Sequence, residues 1–267
     1  MKNNKSLGQN WLKNREILEE IADFAAGFAS NPAISNQNTS NTTPESPLSH
    51  LCLEIGPGLG TLTSSLLRRF ERVIAVEFDS NLAENLPKSF PGKNLEVINA
   101  DFLKFDLSSI TEPYVIAGNI PYYITSPIIF KLIEDNNKPI RIVLLVQKEV
   151  AERVAASVGK HTVLSLSVQN RAKVMLGPVV PKTEFTPVPK VDSQVIILEP
   201  LDKPIVSNAT INLIKRGFSA PRKKLIKNLG QISKDNLLSI FKKCGISENA
   251  RPADLPLSTW QKLQEAL

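Results

Sequence analysis

The chain has 267 residues, 42% of them hydrophobic, and its 32 Lys and Arg outweigh 26 Asp and Glu to give a formal charge of +6; this fits one substantial core, a smaller second domain and a polyanionic partner. No run approaches the roughly 18 apolar residues of a membrane span and Met1–Leu12 holds no apolar run of signal type, so no membrane partner is expected and the chain reads as a soluble, cytoplasmic monomer. Two histidines, His50 and His161, cannot build a histidine-rich metal site, Cys52 and Cys244 lack CxxC spacing and read as core thiols, and no GxSxG elbow for acyl transfer is present.

Lys2, Lys5, Lys13 and Arg15 form a short basic arm. From Glu16 to Phe28, Ile17, Leu18, Ile21, Phe24, Ala25 and Phe28 recur at helical spacing and predict an amphipathic helix. Ser30–Ser49 is Asn, Ser, Thr and Pro with almost no apolar residue, which predicts a flexible surface loop. Its N-x-S/T triplets at Asn38 and Asn41 would matter only in a secreted protein.

From Leu51 onward short apolar runs alternate with helical patterns, the signature of βαβ units. Strands are expected at 51–55, 73–77, 95–99, 114–117, 140–146, 173–176 and 193–198, enough for a doubly wound, seven-stranded, mostly parallel sheet. After Pro204 the pattern is wholly helical: 209–218, 225–229, 235–244 and 258–267, the last opening on a capping box of Ser258 and Gln261. The α/β fold class is therefore expected over 1–203, with 30–49 as an insertion, and a small all-helical domain over 204–267.

The segment LEIGPGLGTLT, Leu53 to Thr63, reads as a strand, a glycine-rich turn and a helix. Gly56, Gly58 and Gly60 allow a sharp turn and close approach of a ligand to the backbone. Their GxGxG spacing, preceded by Glu54, favours an S-adenosylmethionine turn over a pyrophosphate cradle. Glu77 ends the next strand, where a carboxylate can accept both ribose hydroxyls, and Asp101 follows the third, suitably placed to accept from an adenine amino group.

AGNIPYYI, Ala117 to Ile124, closes the fourth strand. The exocyclic nitrogen of adenine is a poor nucleophile because its lone pair is delocalised into the ring. An enzyme that methylates it must accept its hydrogens and favour a pyramidal amine. The side-chain oxygen of Asn119 and the backbone carbonyl of Ile120 can do so, with Pro121 fixing the turn and Tyr122 stacking on a flipped base. Further on, Lys215 to Lys227 carries Lys215, Arg216, Arg222, Lys223, Lys224 and Lys227 and no acidic residue. Arg222, Lys223 and Lys224, expected to open a helix, together with Lys227 are candidate contacts to RNA phosphates.

With SLGQNWL at 6–12, NADFLKFD at 99–106, GNIPYYITSPIIFKL at 118–132, LLVQKEVAERVAA at 144–156, FTPVPKVDSQV at 185–195 and GFSAPRKKLIKNL at 217–229, the chain resembles the KsgA/RsmA family of small-subunit ribosomal RNA adenine dimethyltransferases. The resemblance implies a Rossmann-like S-adenosylmethionine-dependent methyltransferase fold. It implies that Asn10, Leu12, Gly56, Glu77, Asp101 and Asn119 contact the methyl donor, and that Phe185 offers a second stacking surface to the target base. The implied substrate is two adjacent adenosines in the hairpin near the 3′ end of 16S ribosomal RNA, converted to dimethyladenosines within the small subunit or its precursor. Two places depart from the family pattern: NLPYN reads NIPYY, with Tyr123 in place of a small amide, and YGRLS reads HTVLS at 161–165, with Val163 in place of arginine. Two other readings stay open, a large-subunit adenine methyltransferase of antibiotic-resistance type and a non-catalytic RNA-binding assembly or transcription factor. Intact Glu77, Asp101 and Asn119–Tyr122 argue against the second.

Overall fold

A computed structural model describes residues 9–28, 46–230 and 233–267. Lys2, Lys5 and most of the polar Ser30–Ser49 stretch, with its Asn38 and Asn41 triplets, lie outside the described residues. In chain order the elements are β1 (Trp11–Leu12), α1 (Arg15–Ala26), β2 (Leu51–Ile55), α2 (Thr61–Leu66), β3 (Arg72–Glu77), α3 (Ser80–Asn85), β4 (Leu95–Asn99), β5 (Tyr114–Asn119) and α4 (Thr125–Glu134). There follow β6 (Ile142–Gln147), α5 (Lys148–Val154), α6 (Val163–Gln169), β7 (Ala172–Val180), β8 (Phe185–Thr186), β9 (Ser193–Pro200), α7 (Asn208–Gly217), α8 (Leu225–Asn228), α9 (Lys234–Cys244) and α10 (Leu257–Ala266). Two compact units result: one runs to Ala151 and resumes over Val174–Pro200, the other joins Glu152–Lys173 to Leu201–Leu267.

The first unit is built on a seven-stranded sheet in the order β4-β3-β2-β5-β6-β9-β7. β2 runs parallel to β3 and to β5, β3 to β4 and β5 to β6, while β9 is antiparallel to β6. The chain winds outward through β3 and β4, then returns to lay β5 on the other side of β2. The crevice at that reversal, at the carboxyl ends of β2 and β5, is where such sheets bind ligands. α1 starts because the Asn14 side chain accepts from the amides of Glu16 and Ile17, and stops where Gly27 turns to φ 86°. Its apolar face, Leu18, Ile21, Ala22 and Ala25, joins Val115, Ala117, Val143 and Leu145 of the sheet in one core. Arg69 ties α1 to the end of α2, with Nε 2.6 Å from Asp23 and Nη1 2.6 Å from Glu19.

All seven expected strands are present. β5 runs two residues past the expected end, to Asn119, and β7 continues to Val180. The antiparallel pair β1 and β8, with Trp11 opposite Thr186 and Leu12 opposite Phe185, was not expected, because two residues are too few to show a period.

In the second unit Thr162 and Ser165 cap α6 reciprocally, with Ser165 N donating to Thr162 Oγ1 at 3.1 Å and Thr162 N to Ser165 Oγ at 2.8 Å. The capping box expected at Ser258 is not formed. Pro256 takes the N-cap of α10 with φ −71° and starts the helix one residue earlier, so that Ser258 already lies inside the first turn. Nor do Arg222, Lys223 and Lys224 open a helix: they lie in the turn before α8, with Lys224 as its N-cap. The core of this unit centres on Trp260, fully buried with Leu213, Ile214, Phe218, Leu225 and Phe241. A Cβ on Gly217 would stand 2.3 Å from the Trp260 ring, so the indole rests directly on the backbone of α7. Among the described residues no helix is long and apolar enough to cross a membrane, and no three His, Cys, Asp or Glu converge as metal ligands would.

Candidate active site

A cavity of about 250 Å³ opens in the first unit at the carboxyl ends of β2, β3, β4 and β5. Beyond β2 the backbone turns through Gly56 at φ 65° and Gly58 at φ 58°. At Gly58 that conformation disfavours any side chain, and a Cβ would also stand 3.2 Å from the indole nitrogen of Trp11. The turn directs the Gly58 amide at Glu77 on β3: Gly58 N donates to Glu77 Oε2 at 3.0 Å and Asp79 N to Glu77 Oε1 at 2.8 Å. Burial raises the pKa of Glu77, and the two amides oppose that shift by favouring the charged form. A carboxylate oxygen has two lone-pair directions, so each oxygen keeps one for a ligand hydroxyl. Asp101, after β4, is held by the Leu103 amide at 3.0 Å.

At the end of β5 the Asn119 side chain donates through Nδ2 to the Asn10 carbonyl at 3.0 Å. The amide is thereby oriented, and Oδ1 remains an acceptor with no protein donor among the described residues. Pro121, at φ −58° and ψ 135°, carries the chain out of the strand into a short 3₁₀ turn, Tyr122–Ile124. The Tyr122 hydroxyl lies 2.8 Å from Ser193 Oγ, so the ring is anchored at its far end. Burial raises the pKa of that hydroxyl, which stays protonated at neutral pH. Tyr123, beside it, is 64% exposed.

Asn10, Gly56, Gly58, Glu77, Asp101, Asn119, Ile120, Pro121 and Tyr122 thus line one cavity, although they come from widely separated parts of the chain. Leu12 and Phe185 do not line it. Both are fully buried in the core beside α1, paired to each other through β1 and β8. For Phe185 this is a correction: a ring packed on all sides has no face to offer a base. Arg222, Lys223, Lys224 and Lys227 belong to the second unit and are all exposed, with Lys224 Nζ 2.6 Å from Asn249 Oδ1. Sequence reasoning passed over Ser193, whose partner Tyr122 is 71 residues away, and Trp11 and Phe78, which also line the cavity. It noted Glu54 only as preceding the turn. That side chain is 1% exposed, lines the same cavity and leaves Oε2 without a hydrogen-bond partner. An acid inside the apolar run LCLEI was the available signal.

A doubly wound sheet with a glycine turn after its first long strand, carboxylates after the next two and Asn-Ile-Pro-Tyr after the fourth defines a Rossmann-like methyltransferase. The chain belongs to the ribosomal RNA adenine dimethylase family, whose model matches residues 1–267. A relative from a Nostoc species is 37% identical over 282 residues, covering 98% of this chain and 97% of that protein. One from Dehalococcoides mccartyi is 34% identical over 274 residues, covering 98% and 88%. Both are named ribosomal RNA small subunit methyltransferase A. Among solved structures, a dimethyladenosine transferase from Plasmodium falciparum matches with TM-score 0.74 at 29% identity over 94% of this chain and 95% of that one. The 23S rRNA methyltransferase ErmE matches with TM-score 0.74 at 26% identity over 96% and 99%.

Proposed function

We propose that this chain transfers methyl groups from S-adenosylmethionine to the exocyclic nitrogens of two adjacent adenosines in the 3′-terminal hairpin of 16S ribosomal RNA, acting as a cytoplasmic monomer on the small subunit or its precursor. The observation that carries the reading is the placement of Asn119, Ile120, Pro121 and Tyr122 on the same cavity as Gly58, Glu77 and Asp101. The cavity residues fit the donor. Glu77 keeps acceptor capacity for two ribose hydroxyls, and Asp101 can accept from the adenine amine. Among the described residues no Lys, Arg or His lines the cavity, which suits a ligand that carries net positive charge. When bound, S-adenosylmethionine supplies an electrophilic methyl on a sulfonium.

The rest falls to the chain. Asn119 Oδ1 and the Ile120 carbonyl accept the two amine hydrogens and turn the nitrogen lone pair out of the base plane. Tyr122, anchored by Ser193, stacks on the extruded base and tolerates the positive charge that develops at the nitrogen. Once methylated, that nitrogen is acidic and passes its proton to water, so no strong base is needed. The helical segment from 204 onward, through Arg222, Lys223, Lys224 and Lys227, grips RNA phosphates and positions the hairpin without reading its sequence.

The likeness to ErmE supports a second reading, methylation of an adenine in the large subunit. The small subunit is favoured because the relatives named for it are more similar in sequence. Mass spectrometry of ribosomal RNA from cells lacking the protein separates the two. Loss of dimethyladenosine from the 3′ hairpin of 16S RNA is expected; loss confined to 23S RNA would overturn the small-subunit assignment.

A further inference from the structure

Among the described residues, the one buried acid whose charge is left unbalanced is Glu54. β2 is buried at all five positions, and Glu54 is its fourth. Its Oε2 is enclosed yet meets no hydrogen-bond partner, and the side chain lines the donor cavity. The groups that act on it are Thr63 of α2, Glu77 of β3 and Cys52 on its own strand, and among the described residues it shares the cavity with Thr61, Asp101, Asn119, Asn10 and Trp11. None is a cation. An ionised Glu54 would be a buried anion beside a second carboxyl, with only Thr63 to offset its lost hydration. Glu77 differs, because two backbone amides already serve its charge.

We propose that Glu54 is a proton-exchanging counter-charge for the methyl donor: it carries a proton in the donor-free enzyme and releases it to solvent when a cationic donor binds. The inference rests on the donor reading above. Burial and the nearby Glu77 push the Glu54 carboxyl up to about 8, against the stabilising effect of Thr63, so the acid is mostly neutral at physiological pH. A cationic ligand in the cavity supplies the missing positive charge and stabilises the carboxylate. One O–H bond of Glu54 breaks and the proton goes to buffer. Methyl transfer then turns the sulfonium into a neutral thioether, which removes that charge, so the carboxyl regains its proton and the product loses an attraction that the donor had. Glu54 thereby favours donor over product, and more strongly as pH rises toward 8.

Isothermal titration calorimetry tests this at about pH 6.5, where the donor's own ammonium is almost wholly charged, in two buffers of different ionisation enthalpy. S-adenosylmethionine should release close to one proton per molecule bound, S-adenosylhomocysteine clearly less. Donor affinity should rise by about tenfold or more from about pH 6 to 8, as release of close to one proton requires. Glu54→Gln should bind with buffer-independent heat. Infrared difference spectra of the wild-type protein, which need no variant, should lose a protonated-carboxyl band on donor binding. Buffer-independent heat in the wild type would overturn the proposal and leave the donor reading standing. Equal proton release in Glu54→Gln would move the proton to Glu77 or Asp101 and overturn the assignment to Glu54. Absence of any donor binding would overturn the donor reading, and this inference with it.

Discussion

The strand-end cavity and the Lys215–Lys227 run carry opposite charge, and each departs from the chain average in its own direction. Among the described residues the cavity is lined by Glu54, Glu77 and Asp101 and by no basic side chain; the run has six basic residues and no acid, within a chain of net +6. The acids are partly or fully buried, Glu77 and Asp101 held by backbone amides and Glu54 enclosed in β2, whereas Arg222, Lys223, Lys224 and Lys227 are exposed. A protein that binds a small cationic donor and a polyanionic RNA needs both signs of charge, and keeping them in different units lets each act in its own dielectric. The buried set can be specific, because charges screened little by water depend on geometry. The exposed set can be strong only in number and falls off with salt.

The contrast is most readily undone at the reacting end of the cavity. Asn119→Ala removes the oriented acceptor and should lower single-turnover methylation about 100-fold or more, the scale for losing a preorganised polar group at the reacting atoms. It should also loosen the Asn10 segment, seen as weaker donor binding. Tyr122→Ala should cost about 1 to 3 kcal/mol of base stacking, read as slower turnover at unchanged donor affinity. Normal turnover in that variant would move the adenine pocket elsewhere.

Glu77→Ala should weaken donor binding by about 1.5 to 3 kcal/mol, the range for hydrogen bonds to a charged group, as measured by calorimetry with the fold checked by circular dichroism. Neutralising Arg222, Lys223 and Lys224 together should flatten the salt dependence of small-subunit binding by about 0.7 to 0.9 in slope for each phosphate that is no longer neutralised. Donor affinity should stay the same. If Glu77→Ala changed the salt slope, or the triple variant changed donor affinity, the division of labour between the two units would be wrong.

Smaller effects are expected at two supporting residues. Ser193→Ala releases the Tyr122 hydroxyl and should slow turnover by about 1 kcal/mol in barrier, with Ser193→Thr restoring most of it. His161 is buried with Nδ1 unpartnered, and burial lowers its pKa. The folded state therefore holds its proton less tightly than the unfolded chain does. His161 contributes stability above its unfolded pKa of about 6.5, and that contribution is lost as pH falls below it. Glu54 acts in the opposite sense, because its raised pKa makes stability fall as pH rises toward about 8. The His161 contribution must accordingly be read as the difference between wild type and His161→Gln in urea midpoints at about pH 7.5 and 5.5. A difference that does not change with pH would mean that the imidazole does not titrate in that window.

Much of the fold was legible locally. Strands buried on both faces show as apolar runs, and the glycine turn and Asn-Ile-Pro-Tyr are contiguous, so β2, β3 and the reactive end of β5 could be read directly. Pairings made at long range could not. The Asn119 amide is oriented by a carbonyl 109 residues away, the Tyr122 hydroxyl by a serine 71 residues away, and β1 and β8 exist only because folding brings two residues opposite two others. Composition changes sharply near Lys203, which placed a boundary there. That α6 and its flanks group with the C-terminal helices is a matter of packing, invisible in one dimension.

Residue type and spacing alone therefore specified the set of parts: alternating strands and helices, the glycine turn, the two later carboxylates, the adenine-type turn and the basic run. Tertiary structure decided which parts share a cavity, that Phe185 is enclosed in the core, and that Glu54 is buried without a counter-charge among the described residues. Burial and pairing depend on which distant surfaces meet, and the cost of an unbalanced charge exists only once water has been excluded around it.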